Sequence, residues 1–370
     1  MSSDRKLITI FGGTGKQGGS VAHSLLQSPD FRVRVITRNP ESDASLKLAA
    51  LGAELAQGNG FSSDDMLSAF SSSWGAFVNI NSDDKVWIML PRQSQTVNKR
   101  IKVFTTEGGP TEFDMGKIII DSALQAGVKH LVFSSGPPCT EMTNGQVRMK
   151  AMDSKTPHHR TVDRSNKNNP RIVKNKIENY AKSLESFETI TPIGAGWFLE
   201  NFLGKEVAPV FGGFPYFPND HGYLTFRVPY WGGDEHVPWL SVSDDFGDIV
   251  QGIFLDPGRW NGHFVHGVSD IRSFEQVVAD FAAVTGRKAR FQPILPTWEA
   301  FDTHGIQELE DVKLMFGFTQ LTGGRYFGPE ATEVDTARQL KQITALKLGR
   351  PEEQHKLTSA RDWFAARFTN

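Results

Sequence analysis

The first residues with chemistry in them are Gly12-Gly13-Thr14-Gly15-Lys16-Gln17-Gly18. Apolar Leu7 to Phe11 precede them, and Val21, Leu25 and Leu26 follow at helical spacing, so the run reads as a strand, a tight turn and a helix. In such a turn Gly12 permits the bend, Gly15 lets backbone N–H groups approach a pyrophosphate, and Gly18 lets helix and strand pack closely. A glycine triplet alone is a weak signal; its strand-to-helix context makes it a dinucleotide fingerprint. A second strand ends Ile36-Thr37-Arg38, without the carboxylate that would hold a ribose 2′-OH. Arg38 instead offers a planar charged fork suited to a 2′-phosphate, which points to NADP(H) rather than NAD(H); the plain alternative is a solvated surface arginine. Ser134 and Ser135 close a later strand, where a doubly wound sheet turns its loops towards the nicotinamide. A serine there can orient a carbonyl oxygen but is a poor acid by itself. No metal-ligating helix motif is present, and no metal is expected. His263 and His266 stand three apart on an expected strand and so face opposite sides.

The elements that must hold these residues alternate in the order of an α/β fold. Strands are expected at Leu7 to Phe11, Arg32 to Thr37, Ala53 to Ala56, Ala76 to Ile80, His130 to Ser134 and Thr189 to Pro192. Helices are expected at Ala44 to Leu51, Asp64 to Phe70, Phe113 to Ala126 and Ile172 to Leu184. Alternation of this kind implies parallel strands joined by right-handed crossovers, a Rossmann-type doubly wound sheet with helices on both faces. Two polar, basic stretches near 85–110 and 140–172 break the pattern and read as insertions. The second contains HHRTVDRSNKNNP, with His158 and His159 in a solvated loop. Beyond Trp197, Pro, Gly and aromatics punctuate short segments. The expected division is therefore a dinucleotide-binding domain over 1–196 and a smaller α/β lobe over 197–370. That lobe is helped by helices at Phe274 to Thr285 and Asp335 to Leu348, with some elements returning to the first domain.

Composition narrows the classes. The chain has 370 residues, enough for more than one core. Its 40 basic and 42 acidic residues lack the footprint of a nucleic-acid binder, so direct contact with nucleic acid is not expected. Cys139 is a single cysteine and fits a reducing compartment, with the cytoplasm expected and the nucleus as the other candidate. No run approaches the length of a membrane span. The 27 Phe and 8 Trp suit either an aromatic-lined substrate cavity or an aromatic core.

Taken together, the chain resembles the NmrA-like family of atypical short-chain dehydrogenase/reductase proteins, particularly its fungal members. The resemblance rests on Gly12 to Gly18, Thr37 to Pro40, Ala126 to Ser135, Lys174-x-x-x-Glu178-x-Tyr180 and Trp197-Phe198-Leu199-Glu200-Asn201-Phe202. Pro238-Trp239-Leu240 and Trp260-Asn261-Gly262-His263 extend it. It implies a Rossmann sheet capped by a smaller lobe. It also implies a cofactor site drawn from Gly12, Thr14, Gly15, Lys16, Gln17, Gly18, Arg38 and Lys174, with Asn59 serving where many relatives carry an Asp near the adenine. The wider superfamily places a proton-donating Tyr four residues before its Lys. Here that position is Pro170, while Lys174 remains as a candidate catalytic group beside Ser135. Tyr180, six residues after Lys174, should pack inward rather than substitute. Apart from cofactor contact, Lys174 could simply pair with Glu178 on the helix surface.

Two functions share such a site. One is an NADPH-dependent oxidoreductase acting on a small apolar metabolite held in an aromatic-rich cleft, plausible in fungal secondary metabolism. The other is a dinucleotide sensor that controls a transcription factor, as the family's name-giving regulators do. For the sensor, the stretch from Arg148 to Lys176, with nine basic and two acidic residues, would be the partner surface.

Overall fold

The computed structural model describes residues 5–80, 111–149 and 173–369. In the first half, strands β1 (Lys6–Phe11), β2 (Phe31–Thr37), β3 (Glu54–Gln57), β4 (Gly75–Val78), β5 (His130–Ser135) and β6 (Thr189–Ala195) alternate with helices. These are α1 (Lys16–Leu26), α2 (Asp43–Ala50), α3 (Ser63–Phe70), α4 (Glu112–Gln125), the short α5 (Cys139–Met142) and α6 (Val173–Ser183). The second half adds strands β7 (Trp197–Phe198), β8 (Leu224–Phe226), β9 (Val237–Leu240), β10 (Val265–Gly267), β11 (Asp270–Arg272) and β12 (Ala289–Phe291). Its helices are α7 (Gly247–Leu255), α8 (Phe274–Thr285), α9 (Gln307–Leu321), α10 (Asp335–Lys347) and α11 (Ala360–Phe368). Short apolar runs form the strands, and the helices start where Ser42, Ser62, Thr111 and Ser273 cap their first turns.

The central sheet has seven strands in the order β10-β6-β5-β4-β1-β2-β3, all parallel. Its strands are hydrophobic on both sides because helices cover both faces. One face packs Met66, Phe70, Ile119, Ile120 and Ile177 of α3, α4 and α6 against Val78 and Phe133. The other packs Val21, Leu25, Ile249, Ile253 and Leu340 of α1, α7 and α10 against Ile10, Phe77 and Val132. A third core belongs to the second half and gathers Trp231, Trp239, Phe274, Phe281, Phe316 and Trp363 around the three-stranded β11-β9-β7 sheet and the β12-β8 pair. Much of the aromatic content is therefore core. Trp197 stacks between Trp231 and Trp239, with ring centroids 5.8 and 5.1 Å away.

Three expectations change. Helix α10 was placed with the second lobe, but Ala337 and Leu340 bury it against α7, on the dinucleotide sheet. His263 precedes β10, so strand alternation does not relate it to His266. The stretch from 140 is not purely polar at its start: α5 runs into it, and Val147 and Met149 are buried in the third core, with Met149 Sδ 3.8 Å from Cys139 Sγ. Apolar side chains simply outweigh the polar neighbourhood there. Of the two insertions, 85–110 and 150–172, with His158, His159 and Pro170, lie outside the described residues.

Candidate functional site

The turn between β1 and α1 is built so that only glycine fits at two of its corners. Gly12 has φ of +79°, and a Cβ there would stand 2.6 Å from the Asn79 carbonyl oxygen. At Gly18 a Cβ would stand 2.4 Å from the Gly12 carbonyl oxygen, which sets the close approach of helix and strand. Gly15 donates its N–H to Gly12 O at 3.1 Å and is the N-cap of α1. Five other described helices are capped by side chains. α1 has no side-chain cap and no acidic residue in its first turn. Its orphan N–H groups and positive dipole end face outward at exposed Thr14, Gly15 and Lys16, an anion cradle that fits a pyrophosphate.

The neighbouring strand ends lie beside this turn. Thr37 is buried, and its Oγ1 makes hydrogen bonds with Asn39 and with Ser45 Oγ, so the loop carrying exposed Arg38 is held firmly. Gly58 N–H donates to Thr37 O at 3.0 Å and brings Asn59 beside that loop. Asn59 is exposed; its N–H donates to Asp65 Oδ2 at 3.0 Å and its Oδ1 accepts from Phe61 N at 3.1 Å. On the other side of α1, Ser134 Oγ donates to Gln17 Oε1 at 2.8 Å and ties the glycine turn to the end of β5.

At the carboxyl end of β5 the structure brings together residues that the sequence had read otherwise. Ser135 is buried and its hydroxyl donates to Glu178 Oε2. Glu178, read as a surface partner of Lys174, is 4% exposed and accepts from Lys182 Nζ at 2.6 Å. Lys174 lies in the first turn of α6, one turn before Glu178; its side chain is outside the described residues. Tyr180 does not pack fully inward. It lies at the rim of the core, where its Oη donates to Asp121 Oδ1 at 2.5 Å and that bond pushes the phenol up to about 12. A phenol held so tightly is no substitute acid.

Along α1, from Lys16 to Gln27, opens a cavity of about 1020 Å³, and of the residues assigned to the cofactor or the reacting end it touches Lys16. Lys16, Gly19, Ser20 and His23 of α1 form one wall, and Trp197, Phe202, Phe211, Phe214, Phe226 and Trp239 form much of the other. Glu200 on its rim was legible only as part of a motif. Its Oε2 accepts from Val242 N at 3.1 Å, and its Oε1 accepts from Ser243 N at 2.9 Å and Ser243 Oγ at 2.8 Å. It thereby caps the π turn Val242–Phe246 that leads into α7. Below that turn, Asp245 and Asp248 are buried against Lys341 and Arg350. Arg350 Nη1 donates to Asp248 Oδ2 at 2.6 Å, Ser24 Oγ donates to Asp248 Oδ1 at 2.7 Å, and Lys341 Nζ contacts Asp245. Burial pushes the Asp245 carboxyl above the usual range, against the pull of Lys341. Among the described residues no cluster of His, Cys, Asp or Glu could hold a metal ion, and no helix is long and apolar enough to cross a membrane.

A doubly wound parallel sheet with an uncapped glycine turn on β1 defines a dinucleotide-binding Rossmann protein. The profile of the NmrA-like family matches residues 4–353, and the chain belongs to that family. It is 83% identical over 370 residues to an NmrA-like family domain-containing oxidoreductase, lnaB, of Aspergillus flavus, covering 100% of both chains. It is 57% identical over 366 residues to the oxidoreductase FrzB of a Cladobotryum species, covering 98% of each. Among solved structures it is similar to NmrA, a negative transcriptional regulator in complex with NADP, with a TM-score of 0.64 at 19% identity, over 99% of this chain and 97% of that one. The NADPH-dependent quinone oxidoreductase QOR2 of Escherichia coli, complexed with NADPH, gives a TM-score of 0.57 at 17% identity, over 98% and 99%.

Proposed function

We propose that this protein is an NADPH-dependent oxidoreductase acting on a small, largely apolar metabolite, in fungal secondary metabolism. The observation that carries the reading is the cavity along α1, whose aromatic wall can enclose a substrate and which meets the cofactor cradle at Lys16. A sensor of the dinucleotide alone needs no such chamber. The uncapped first turn of α1 would hold the pyrophosphate through Thr14, Gly15, Lys16, Gln17 and Gly18, while Arg38 takes the 2′-phosphate and Asn59 lies by the adenine. NADPH supplies a hydride when bound. Ser135 and Lys174 are the groups assigned to the reacting end. The oxidoreductase names of relatives 83% and 57% identical support the same class. The regulatory alternative would need the basic run from 148 to 176, most of which lies outside the described residues.

The test is a structure with NADPH together with turnover assays on a panel of aromatic aldehydes, ketones and imines. The nicotinamide opening onto the aromatic cavity, with NADPH consumed, is the expected result. A nicotinamide walled off from that cavity, with no turnover, sinks the reading.

A further inference from the structure

We infer that Glu178 is the proton source of the reaction, acting through Ser135 and recharged at the solvent edge beside Lys182. The inference rests on the oxidoreductase reading above. Reduction of a C=O or C=N bond by hydride consumes one proton, and the Tyr that ordinarily gives it is replaced by Pro170. Tyr180 is committed to Asp121.

A hydrogen-bonded path runs from Ser135 to the solvent edge. Ser135, the last residue of β5, lies at the carboxyl end of the sheet, where the crevice of a doubly wound fold receives its ligand. Its Oγ reaches Glu178 Oε2, and Glu178 Oε1 reaches Lys182 Nζ at 2.6 Å. The Glu178 side chain is 5% exposed and that of Lys182 39%, so the three residues lead from a dry strand end to water. Nothing in the packing of α6 explains a buried carboxylate at this position, because an apolar residue would fill the same space without loss of hydration.

α4, packed against α6, carries Glu112 and Asp114 in its first turn, with Asp114 bound to Thr111. On α4, Lys117 lies over the Tyr180 ring at 4.7 Å and Asp121 binds its hydroxyl. On β5 the titratable His130 sits at the opposite end of the strand against Trp74. β6 (TITPIGA) carries no titratable group, and His266 on β10 is stacked on Phe327. On α6 itself, Lys182 faces it, with Lys174 one turn before.

The step balances as follows. Hydride brings two electrons to the substrate carbon, the π pair moves to the heteroatom, and the heteroatom takes the Ser135 Oγ proton. The Oγ–H bond breaks as the heteroatom–H bond forms, and Oγ is reprotonated from Glu178 Oε2, which is left as a carboxylate. Ser135 donating to a Glu178 carboxylate paired with the Lys182 ammonium is then the state after delivery, and it is the arrangement the structure holds. Water at the Lys182 edge returns a proton to Oε1, and a half-turn of the carboxyl exchanges its oxygens.

The test compares the full-length parent with Glu178→Gln, Glu178→Asp, Ser135→Ala and Lys182→Met. With NADPH and cinnamaldehyde as the probe pair, Glu178→Gln should lower kcat by about 10²–10⁴-fold and remove the limb of the pH profile that falls as pH rises. KM and NADPH affinity should stay near parental values, and Glu178→Asp should recover part of the rate. A second readout needs neither cofactor nor turnover. The difference infrared spectrum of parent against Glu178→Gln isolates one carboxyl band, and its frequency should change in Lys182→Met and in Ser135→Ala, each of which removes one of its hydrogen-bond donors. Parental kcat and pH profile in Glu178→Gln, or a band indifferent to Lys182→Met, overturns the relay. A responsive band with no turnover of any aldehyde, ketone or imine supports the relay and overturns the oxidoreductase reading instead.

Discussion

Replacing Gly18 and Gly19 by alanine, one at a time, separates backbone sterics from helix propensity in the cofactor turn. Both residues lie in the first turns of α1, and both substitutions gain about 0.8–1 kcal/mol of helix propensity. They differ in what the new methyl meets. At Gly19 the nearest atom is Gly13 O at 3.5 Å, an ordinary contact. At Gly18 the methyl would stand 2.4 Å from Gly12 O and 2.7 Å from Gly13 Cα, about an ångström inside that range, against backbone that cannot rotate away. Overpacking of this kind costs about 1–3 kcal/mol. Because propensity cancels between the two variants, their difference in urea unfolding free energy should equal that steric term. The same displacement moves Gly12 and Gly13 away from the phosphate cradle, and 1.4 kcal/mol of lost contact is about tenfold in affinity. NADPH titration followed by fluorescence should therefore weaken tenfold or so in Gly18→Ala and stay near parental in Gly19→Ala. Equal unfolding free energies and equal affinities in the two variants would refute the steric account of the glycine turn.

Further expectations follow from other parts of the site. Arg38→Ala should erase most of any preference for NADPH over NADH and spare NADH binding, measured by paired titrations; an unchanged preference would move the 2′-phosphate to another residue. Glu200→Ala leaves the N–H groups of Val242 and Ser243 and the Ser243 hydroxyl without their acceptor, and should cost about 1–3 kcal/mol in urea unfolding. A loss below the error of the fit would show that water replaces it. Burial lowers the pKa of both His130 and His266 below that of a free imidazole. The folded state then binds fewer protons than the unfolded chain, so stability is full above about pH 6.5 and falls as pH drops through that value. His266→Gln should flatten part of this slope; an unaltered slope assigns the effect elsewhere.

The sheet was readable wherever strand and helix each carried their own period. Leu7 to Phe11, Arg32 to Thr37 and His130 to Ser134 fall within one residue of β1, β2 and β5. A strand was expected around His263 and His266, but its place as the seventh strand of this sheet was not readable, because Val265–Gly267 is three residues long and is positioned by its neighbour β6. Helix α7 was equally silent. Buried along almost its whole length, GDIVQGIFL shows no amphipathic stripe. The glycine turn and Arg38 could be found because they act through local backbone and strand position. Glu178 and Glu200 could not, since each has a partner more than 40 residues away, Ser135 in one case and the π turn in the other. Spacing along one helix had paired Glu178 with Lys174, whereas burial turned it to the strand.

The seventh strand and the two helices α7 and α10 lie late in the chain, yet they complete the sheet that begins at Lys6. A ribosome must therefore release nearly the whole polypeptide before the dinucleotide half can close, with the apolar side of β1, β4 and β5 exposed until residues near 345 emerge. Arg350, holding Asp248 and Gln27 together, is among the last contacts to form. A fragment cut after β6 would present an uncovered sheet face, so this protein is made as one piece or is a client for chaperones throughout its synthesis.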